Sequence, residues 1–377
     1  MSTPITLLCP LLAMVLAGHS TFAATQPALA NPTWSGAQFQ FVLNGAPNST
    51  YIVQQSADLQ NWTPVLTNSD PQAARLISLP ALGTAGFWRI ARVPEPRFVH
   101  AIAVRGTVTL GGSGRIDTFD SALPGVESDV NGYYQPAFAT DRATIVTTSN
   151  SLGAISIGNV SVYGTVATGP GGTATLAPNG NVGSRTWNDN PANDGRIEPG
   201  HFTDDVNVYI ADAAFPSDFA FPWIPSPGTV GGVAYQYVLG NGDYRIAAIN
   251  VTSMMVTGKA RIHVLGTTTV GVLGTITIAT NASVEWYSGG NATFGGNGVI
   301  NVASLATNFS VIGLRTCVSI SYSGTSRFIG TIYAPNSAVS IAGTADAIGA
   351  IVARTFTLGG TMGLHFDENL KRAGPFF

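Results

Sequence analysis

Charged residues are scarce in this chain. Asp, Glu, Lys and Arg together make up 10% of its 377 residues, whereas an average globular protein has about 25%. The formal net charge is only -3, and lysine occurs solely at Lys259 and Lys371. A surface with so few cations cannot neutralise a phosphate backbone or an anionic bilayer. The composition therefore argues against nucleic acid and membrane surfaces as partners.

Cysteine and long apolar runs are also rare. Cysteine occurs only at Cys9 and Cys317. Residues 5–18 form one apolar run, too short to cross a hydrocarbon core of about 30 Å, and small residues follow it. We predict a secretory signal peptide over residues 1–24, which leaves Cys317 as a single buried thiol without an intramolecular disulfide. No transmembrane anchor is predicted, so the expected location is secreted or cell-surface.

The common catalytic signatures are missing as well. The sequence contains no phosphate-binding loop, no Gly-x-Ser-x-Gly elbow, no His-Glu-x-x-His and no paired Cys-x-x-Cys. Nucleotide binding, serine-hydrolase chemistry and zinc chemistry are therefore not predicted.

Short strand-like runs separated by turn residues fill positions 25–93. This pattern predicts a small antiparallel β-sandwich. The run Tyr51–Trp62 (YIVQQSADLQNW), followed by Phe87–Arg89 (FWR), resembles the small fibronectin-like module of many secreted bacterial proteins. The resemblance implies a fibronectin/Ig-like sandwich over 25–93. The prolines of the next stretch predict a linker at 94–97.

Residues 98–377 have a different sequence pattern. Very short β-rich runs alternate with Gly, Asn and Thr, and no amphipathic helix is predicted. Apolar positions recur about twenty residues apart, as from Ile320 to Ile341 and from Ile329 to Ile351. A repeat of about 20 to 25 residues without helices is typical of a three-stranded coil in a parallel β-helix. We therefore predict an all-β protein in which a long parallel β-helix of roughly ten coils follows the sandwich. A large sandwich or jelly roll is the alternative.

One segment, at about 185–244, is rich in proline and aromatic residues and predicts an irregular insertion in the β-helix. It also concentrates the acidic residues of the chain. Seven acids lie between positions 189 and 218: Asp189, Asp194, Glu198, Asp204, Asp205, Asp212 and Asp218. A metal or catalytic site, if the protein has one, is expected in this segment.

A structural Ca²⁺ site is the metal hypothesis for the insertion. Calcium takes six to eight oxygen ligands, and Asp189, Asn193, Asp194 and Glu198 could supply several of them. The spacing departs from an EF-hand, since Ala192 falls where a ligand is needed. The alternative is a solvated turn rich in Asp and Asn. No other cofactor is predicted.

The fallback catalytic candidates are His201, Asp204 and Asp205. They would act as general acid and general base in the cleavage of a glycosidic bond. Adjacent acids on a strand point to opposite faces, so Asp204 and Asp205 are not expected to form a pair. The run Lys259–His263 places three basic or ionisable side chains on one strand face. That face could receive an acidic sugar or simply be solvated.

The most specific motifs lie near the C-terminus. They are Arg327–Asn336 (RFIGTIYAPN), Ile348–Val352 (IGAIV) and Gly363–Leu370 (GLHFDENL). They resemble an uncharacterised family of exported bacterial proteins whose C-terminal module also occurs in pilus-assembly (PilX-like) proteins. The resemblance spans nearly all of 98–370 and implies a right-handed β-helix of unknown activity, with no catalytic residue to transfer. We interpret His365, Asp367 and Glu368 as a polar last rung that caps the stack.

These observations predict a secreted or cell-surface structural or adhesive β-helix protein without catalysis. Its nearly neutral faces of Thr, Ser and Asn would contact extracellular glycans or other surface proteins. The alternative is a polysaccharide-binding or polysaccharide-cleaving enzyme of the pectin-lyase kind, because parallel β-helices often hold extended glycans.

Overall fold

The computed structural model describes residues 28–35, 38–44, 51–57, 63–68, 74–80, 87–92, 98–206, 210–219, 221–343 and 345–373. The chain divides into two compact units, whose main parts end at Glu95 and begin at Pro96. The predicted signal peptide (1–24), the predicted linker (94–97) and Trp62 lie outside the described residues.

Antiparallel strands make up the described part of the N-terminal unit. They are β1 (Ala28–Ser35), β2 (Gln38–Asn44), β3 (Tyr51–Ser56), β4 (Thr63–Asn68), β5 (Ala74–Pro80) and β6 (Phe87–Arg92). They form two three-stranded sheets, in the orders β1-β2-β5 and β4-β3-β6. Phe39 stacks on Trp88 with ring centroids 4.5 Å apart, and Phe41 and Val53 are buried in the same core. The prediction of small antiparallel sheets is confirmed.

The C-terminal unit begins with short strands and one short helix. They are β7 (Ile102–Val104), β8 (Val108–Leu110), β9 (Arg115–Phe119), β10 (Ala143–Thr147), β11 (Ile155–Ile157), β12 (Ser161–Ala167), β13 (Ala174–Leu176), β14 (Asn181–Gly183), α1 (Arg185–Asn188) and β15 (Phe202–Thr203). A 3-10 turn, Pro191–Asn193, follows α1.

The second half of this unit contains the longest strands. Its elements are β16 (Ser226–Val230), β17 (Val233–Leu239), β18 (Gly242–Ile246), β19 (Ile249–Val256), β20 (Lys259–Val264), β21 (Thr268–Ile278), β22 (Ser283–Ser288), β23 (Ala292–Phe294), β24 (Gly298–Asn301), β25 (Phe309–Gly313), β26 (Ser319–Tyr322), β27 (Phe328–Gly343), β28 (Ala347–Gly360), β29 (Leu364–Asp367) and α2 (Leu370–Ala373). Strands β7 to β29 all belong to one 23-stranded sheet. The all-β prediction is confirmed.

Parallel pairing organises this large sheet. Among the described residues its paired strands run parallel, except for the hairpin of β16 and β17. Each strand pairs with a strand of the next layer. The number of residues that separate paired positions differs between layers, since Ala347 pairs with Leu364, whereas Ala292 pairs with Ile320. Consecutive stretches of chain are therefore stacked as layers of unequal length.

The core of the sheet is a ladder of buried apolar side chains, one from each layer. In stacking order its members are Tyr244, Ile262, Trp286, Val311, Ile332, Ile351, Ile102, Ile145 and Val166. Complete burial of such a side chain contributes about 1.5–3 kcal/mol. Burial of this ladder and the backbone hydrogen bonds between paired strands together hold the layers in place.

The stacking order of the layers differs from their order in the chain. Residues 102–119, the N-terminal layer, contain β7, β8 and β9. β7 lies between β28 and β10, and β9 lies between β29 and β12. The first layer of the chain is thus inserted beside the last, in the interior of the sheet.

Residues 210–215, together with Phe219, lie along the outside of the sheet, and we call them the strap. Arg105 Nη2 donates to the carbonyl of Ile210 at 2.7 Å, and Tyr333 Oη donates to the carbonyl of Ala211 at 2.7 Å. Further along, the ring of Phe215 packs 4.2 Å from that of His263. The strap therefore covers side chains contributed by several different layers.

Regular strands occupy part of the segment that the sequence predicts to be irregular. β16, β17 and β18 lie within or across the end of 185–244 and pair with one another or with the next layers. Pro225 precedes β16 and Pro227 lies inside it. β16 has a paired neighbour on one side alone among the described residues, and an edge strand tolerates proline because no second strand needs its N–H. None of the described helices is long and apolar enough to cross a membrane.

Candidate functional site

The first part of the segment predicted to hold a metal or catalytic site lies over one end of the large sheet, next to β12 and β14. Its helix α1 begins after Ser184, whose Oγ accepts a hydrogen bond from the N–H of Trp187. Ile197 forms a parallel bridge to Val182 of β14, and β15 pairs with β12. We call residues 184–203 the polar cap, because its charged side chains lie over a sheet end that needs covering.

Two of the predicted calcium ligands bond to the layers beneath the cap. Asp189 Oδ1 accepts a hydrogen bond from Tyr163 Oη at 2.9 Å. Asp194 Oδ1 accepts from Asn181 Nδ2 at 3.1 Å. Both carboxylates therefore attach the cap to the sheet, each through a different donor.

Glu198 and His201 form a second small group in the cap. Glu198 Oε2 accepts from the backbone N–H of Ser184 at 2.6 Å, and this bond lowers the pKa of Glu198. His201 Nε2 lies 3.2 Å from the same carboxylate oxygen, and its Nδ1 lies 2.7 Å from the carbonyl oxygen of Gly164. His201 thus contacts the sheet and the cap at once.

The remaining metal candidate, Asn193, donates its side-chain amide to the carbonyl of Trp187 at 2.9 Å. Within the described residues no group of three or more His, Cys, Asp or Glu side chains could hold a metal ion. The structure thus does not assemble Asp189, Asp194 and Glu198 into a ligand set.

Asp204 and Asp205, the fallback catalytic acids, are exposed just beyond β15. His201, the third member of that hypothesis, bonds through both ring nitrogens within the cap and sheet. In the described part of the chain, none of these three side chains forms a hydrogen bond or ion pair with another of the three.

His365 lies at the contact between the first and last layers. Its Nδ1 is 2.6 Å from Asp117 Oδ1, its Nε2 is 3.5 Å from Asp346 Oδ2, and its ring stacks on Tyr134 with centroids 3.6 Å apart. Burial opposes a charge on the ring, but the two carboxylates outweigh it and raise the pKa of His365. Contact with His365 in turn lowers the pKa of Asp346 to about 2. These groups form an ionic cluster in which His365 and Asp117 are buried and Asp346 is partly exposed.

The other two residues of the motif bond to the same layer. Asp367 accepts hydrogen bonds from the N–H and the hydroxyl of Ser121, at 3.1 and 2.7 Å, and burial raises its pKa. Glu368 Oε1 accepts from Arg142 Nε at 2.7 Å. We call these contacts between residues 115–142 and 364–372 the seam.

The seam lies inside the sheet, whereas the sequence interpretation placed the motif at an open end. β29 pairs with β28 on one side and with β9 on the other. Arg372 Nη2 lies 2.6 Å from both carboxylate oxygens of Asp120, which ties α2 to the N-terminal layer. His365, Asp367 and Glu368 therefore join two layers that are distant in sequence, and the described strands on both sides of β29 leave no open end there.

The basic face predicted at Lys259–His263 is partly covered. Arg261 makes a two-pronged ion pair with Asp243, with N–O distances of 2.7 and 2.8 Å. His263 lies under Phe215 of the strap, and burial lowers its pKa, with Arg245 as the second cause. Both side chains are engaged by the protein itself.

A row of small polar side chains follows the outside of the sheet and is the candidate functional surface. In stacking order this hydroxyl ladder consists of Thr175, Ser156, Thr109, Thr357, Ser340, Ser321, Thr293, Thr269 and Asn250. Thr109, for example, lies between buried Val108 and Leu110, and alternate side chains of a strand point to opposite faces. No member of the ladder is buried or charged.

The geometry of the ladder suits repeated hydrogen bonding. Neighbouring strands of a sheet lie about 4.8 Å apart, so the polar groups recur at that interval over the stack. A hydroxyl both donates and accepts hydrogen bonds, and Ser321 Oγ already lies 3.3 Å from Thr293 Oγ1. The ladder can therefore bond to a flat or extended ligand that repeats along the same direction.

The sequence interpretation anticipated polar outer faces but not this particular row. Its signal is a triplet with an apolar residue between two hydroxyl residues: Thr107-Val108-Thr109, Ser319-Ile320-Ser321 and Thr355-Phe356-Thr357. Some other layers replace one hydroxyl, as in Ala154-Ile155-Ser156 and Asn291-Ala292-Thr293. The alignment of the triplets becomes visible only when the layers are stacked.

Residues 187–373 match the family described as a domain of unknown function, DUF7305. This match covers the C-terminal part of the resemblance drawn from motifs and leaves residues 98–186 outside it. Neither the comparison with curated proteins nor that with solved structures produced a match.

Proposed function

We propose that the protein is a secreted or cell-surface structural and adhesive protein that binds extended neutral glycans along the hydroxyl ladder, without catalysis. The observation that carries this proposal is the uncharged row of Thr, Ser and Asn from Thr175 to Asn250. A β-linked polysaccharide also presents hydroxyls at regular intervals along a straight chain. Each hydrogen bond contributes only about 0.5–1.5 kcal/mol, so useful affinity arises from many layers acting together.

The finer fold assignments belong to the same proposal. Parallel pairing between successive layers supports a right-handed parallel β-helix, the geometry implied by the motif resemblance. The two small antiparallel sheets support a fibronectin-like N-terminal module. The apolar run at residues 5–18 supports export.

The placement of the acidic candidates favours binding over turnover. Asp189, Asp194 and Glu198 are engaged as hydrogen-bond acceptors. Glycosidic hydrolysis requires two carboxyl groups on either side of one bond. Carboxylates that secure the polar cap are poorly suited to that task.

The decisive experiment incubates the purified chain with neutral and acidic polysaccharides, with and without Ca²⁺. Retention on insoluble β-linked glycans and the release of reducing ends or unsaturated uronides are measured in parallel. We expect retention without turnover. Turnover that disappears in Asp204→Ala or Asp205→Ala would overturn the proposal in favour of a polysaccharide-cleaving enzyme.

A hydroxyl-deletion variant tests the ladder itself. Thr357→Val keeps the side-chain shape and removes one hydroxyl from the middle of the row, so we expect binding to weaken by about threefold or more. Thr203→Val, at an exposed position outside the ladder, is the matched control and should bind as wild type does. Equal binding by both variants would show that the ladder is not the binding surface.

A further inference from the structure

A second row of small side chains runs beside the hydroxyl ladder, two residues earlier in the chain at each layer. In stacking order it consists of Thr107, Thr355, Ala338, Ser319, Asn291 and Thr267. Five of these six residues have polar uncharged side chains, and none of the six is buried. Positions two residues apart on a strand point to the same face, so this row, which we call the companion row, faces the same way as the hydroxyl ladder.

Together the two rows form a two-dimensional array. Their members recur about 4.8 Å apart from strand to strand and about 6.6 Å apart along each strand. Val339, between the two rows on β27, pairs with Phe356 on one side and with Ile320 on the other. The register shifts of β27 and β19 lie outside the rows. The array is therefore regular in both directions.

The face that carries the array has no walls. Neither row contains a charged or an aromatic residue. On the other side of the hydroxyl ladder Ala342 pairs with Gly359, so the next positions of β27 and β28 also carry a small side chain or none. Such a face contacts a ligand from one side only. A ligand must itself be flat to contact both rows at once.

We infer that the two rows bind the surface of a crystalline neutral β-glycan rather than a single dissolved chain. This inference rests on the proposed glycan binding and specifies the physical form of the ligand. A dissolved chain loses conformational freedom when it is fixed on a face, and that entropic cost opposes binding. Chains in a crystal are already ordered and lie side by side, so they bond to both rows at a smaller cost.

The companion row distinguishes the two forms of ligand. A single chain that follows the hydroxyl ladder contacts one row only. Loss of a hydroxyl from the companion row would then leave binding unchanged, and a bulky side chain there would not obstruct the ligand. A crystal surface that contacts both rows is sensitive to both changes. Substitutions in the companion row therefore separate the two cases.

The test presents each glycan to the purified full chain in two forms. Binding isotherms are measured on microcrystalline cellulose and on crystalline chitin, and calorimetry measures binding of the soluble hexasaccharide of each polymer. We expect binding to at least one of the two crystalline glycans. Its soluble hexasaccharide should bind about tenfold more weakly or not at all.

Two companion-row variants test the contact with the crystal. Thr355→Val removes one hydroxyl and should weaken binding to the crystal about threefold. Ala338→Trp places a ring between the face and the crystal and should weaken binding about tenfold or more. Thr203→Val and Val130→Trp, at exposed positions outside both rows, are the matched controls and should bind as wild type does. Far-UV circular dichroism and the thermal midpoint establish that each variant is folded.

The outcomes separate this inference from the proposed function. Equal affinity for the crystal and the soluble hexasaccharide would overturn the inference and leave the proposed function in place. The same holds if Thr355→Val and Ala338→Trp bind as wild type does while Thr357→Val binds more weakly. Absence of binding to every glycan, crystalline or soluble, would overturn both.

Discussion

Two histidines, the buried His365 and the partly buried His100, have opposite charge preferences in this protein. Burial, with Lys371 as a second cause, lowers the pKa of His100 from 6.5 to about 4. Burial also opposes charge on His365, but Asp117 and Asp346 outweigh it and raise its pKa. His365 therefore stabilises the folded state as a cation, and His100 does so as a neutral ring.

We expect His365→Gln to lower the free energy of unfolding by about 3 kcal/mol at mildly acidic pH, because it removes a buried cation from its carboxylate partners. A raised folded-state pKa provides stability below the unfolded-state value of about 6.5, and that stability is lost as pH rises through the folded-state value. The deficit of the variant should therefore shrink at alkaline pH, as measured by urea unfolding over a pH series.

His100→Gln is the control variant, for which we expect the opposite pH dependence of stability. The unfolded chain takes up a proton at His100 as pH falls below 6.5, whereas the folded chain does so only near 4, so the wild type loses stability across that interval. His100→Gln should lack this loss. A His365→Gln deficit that is the same at every pH would contradict the ionic role of His365.

Two of the C-terminal motifs contain glycines, Gly330 and Gly349, whose physical reason the sequence alone does not show. Gly349 has φ of +133°, and a Cβ atom there would lie 1.8 Å from the carbonyl oxygen of Gly330. The two glycines pair across adjacent layers, so the backbone of one layer occupies the space that a side chain would need. A single sequence shows both glycines without showing that they are stacked.

At the scale of elements, the strap is held on the sheet by aromatic packing. Phe219 is buried and lies edge-on to the rings of His263 and Tyr287. The guanidinium groups of Arg245 and Arg261 lie 5.7 and 5.4 Å from its ring centroid. This side chain fixes the C-terminal end of the strap.

We expect Phe219→Ala to lower the free energy of unfolding by about 3 kcal/mol, the usual cost of deleting a buried aromatic ring. The strap should also become a cleavage site in limited proteolysis, because local opening exposes its backbone. Phe219→Leu, which keeps most of the apolar volume, should lose about 1 kcal/mol and stay resistant. Equal cleavage of wild type and Phe219→Ala would show that other contacts hold the strap.

Strands were predictable as elements, whereas their register was not. The spacing from Ile329 to Ile351 indicated a repeat, but the structure pairs Ile329 with Ile348. Runs of alternating apolar residues identify a strand locally. Register depends on how many residues each corner contains, and that number varies from layer to layer.

The acidic segment illustrates the same limit for the candidate site. Its oxygen-rich sequence fits a calcium loop and a polar cap equally well. The donors that bond Asp189 and Asp194 are Tyr163 and Asn181 of the layers beneath. Only the stacking of those layers under the cap reveals these partners, so local sequence cannot distinguish the two roles.

At the scale of the whole C-terminal unit, the inserted N-terminal layer joins the last strands of the unit to its early strands. β9 pairs with β29 on one side and with β12 on the other. We expect the backbone amides of β9 and β29 to exchange with solvent as slowly as those of β27 and β28, because each lies between two paired strands. Amides of the edge strand β16 should exchange faster. Hydrogen exchange followed by mass spectrometry measures all of these strands in one experiment.

Fast exchange in β9 or β29, at the rate of β16, would contradict this expectation. It would mean that the seam opens locally even though its charged groups are paired. Comparison with the His365→Gln protein then serves as a check, since loss of the ionic cluster should accelerate exchange on both sides of the seam at once.

The seam also has a consequence for synthesis. Asp117 and His365 are 248 residues apart in the chain, so a ribosome completes the N-terminal layer long before it makes the strand that covers it. Until then β7, β8 and β9 lack one of their neighbours, and pairing over such distances is slow and exposes unpaired edges to aggregation. Folding strictly layer by layer along the whole sheet is therefore closed to this protein, and its native sheet can be completed only after β29 has been synthesised.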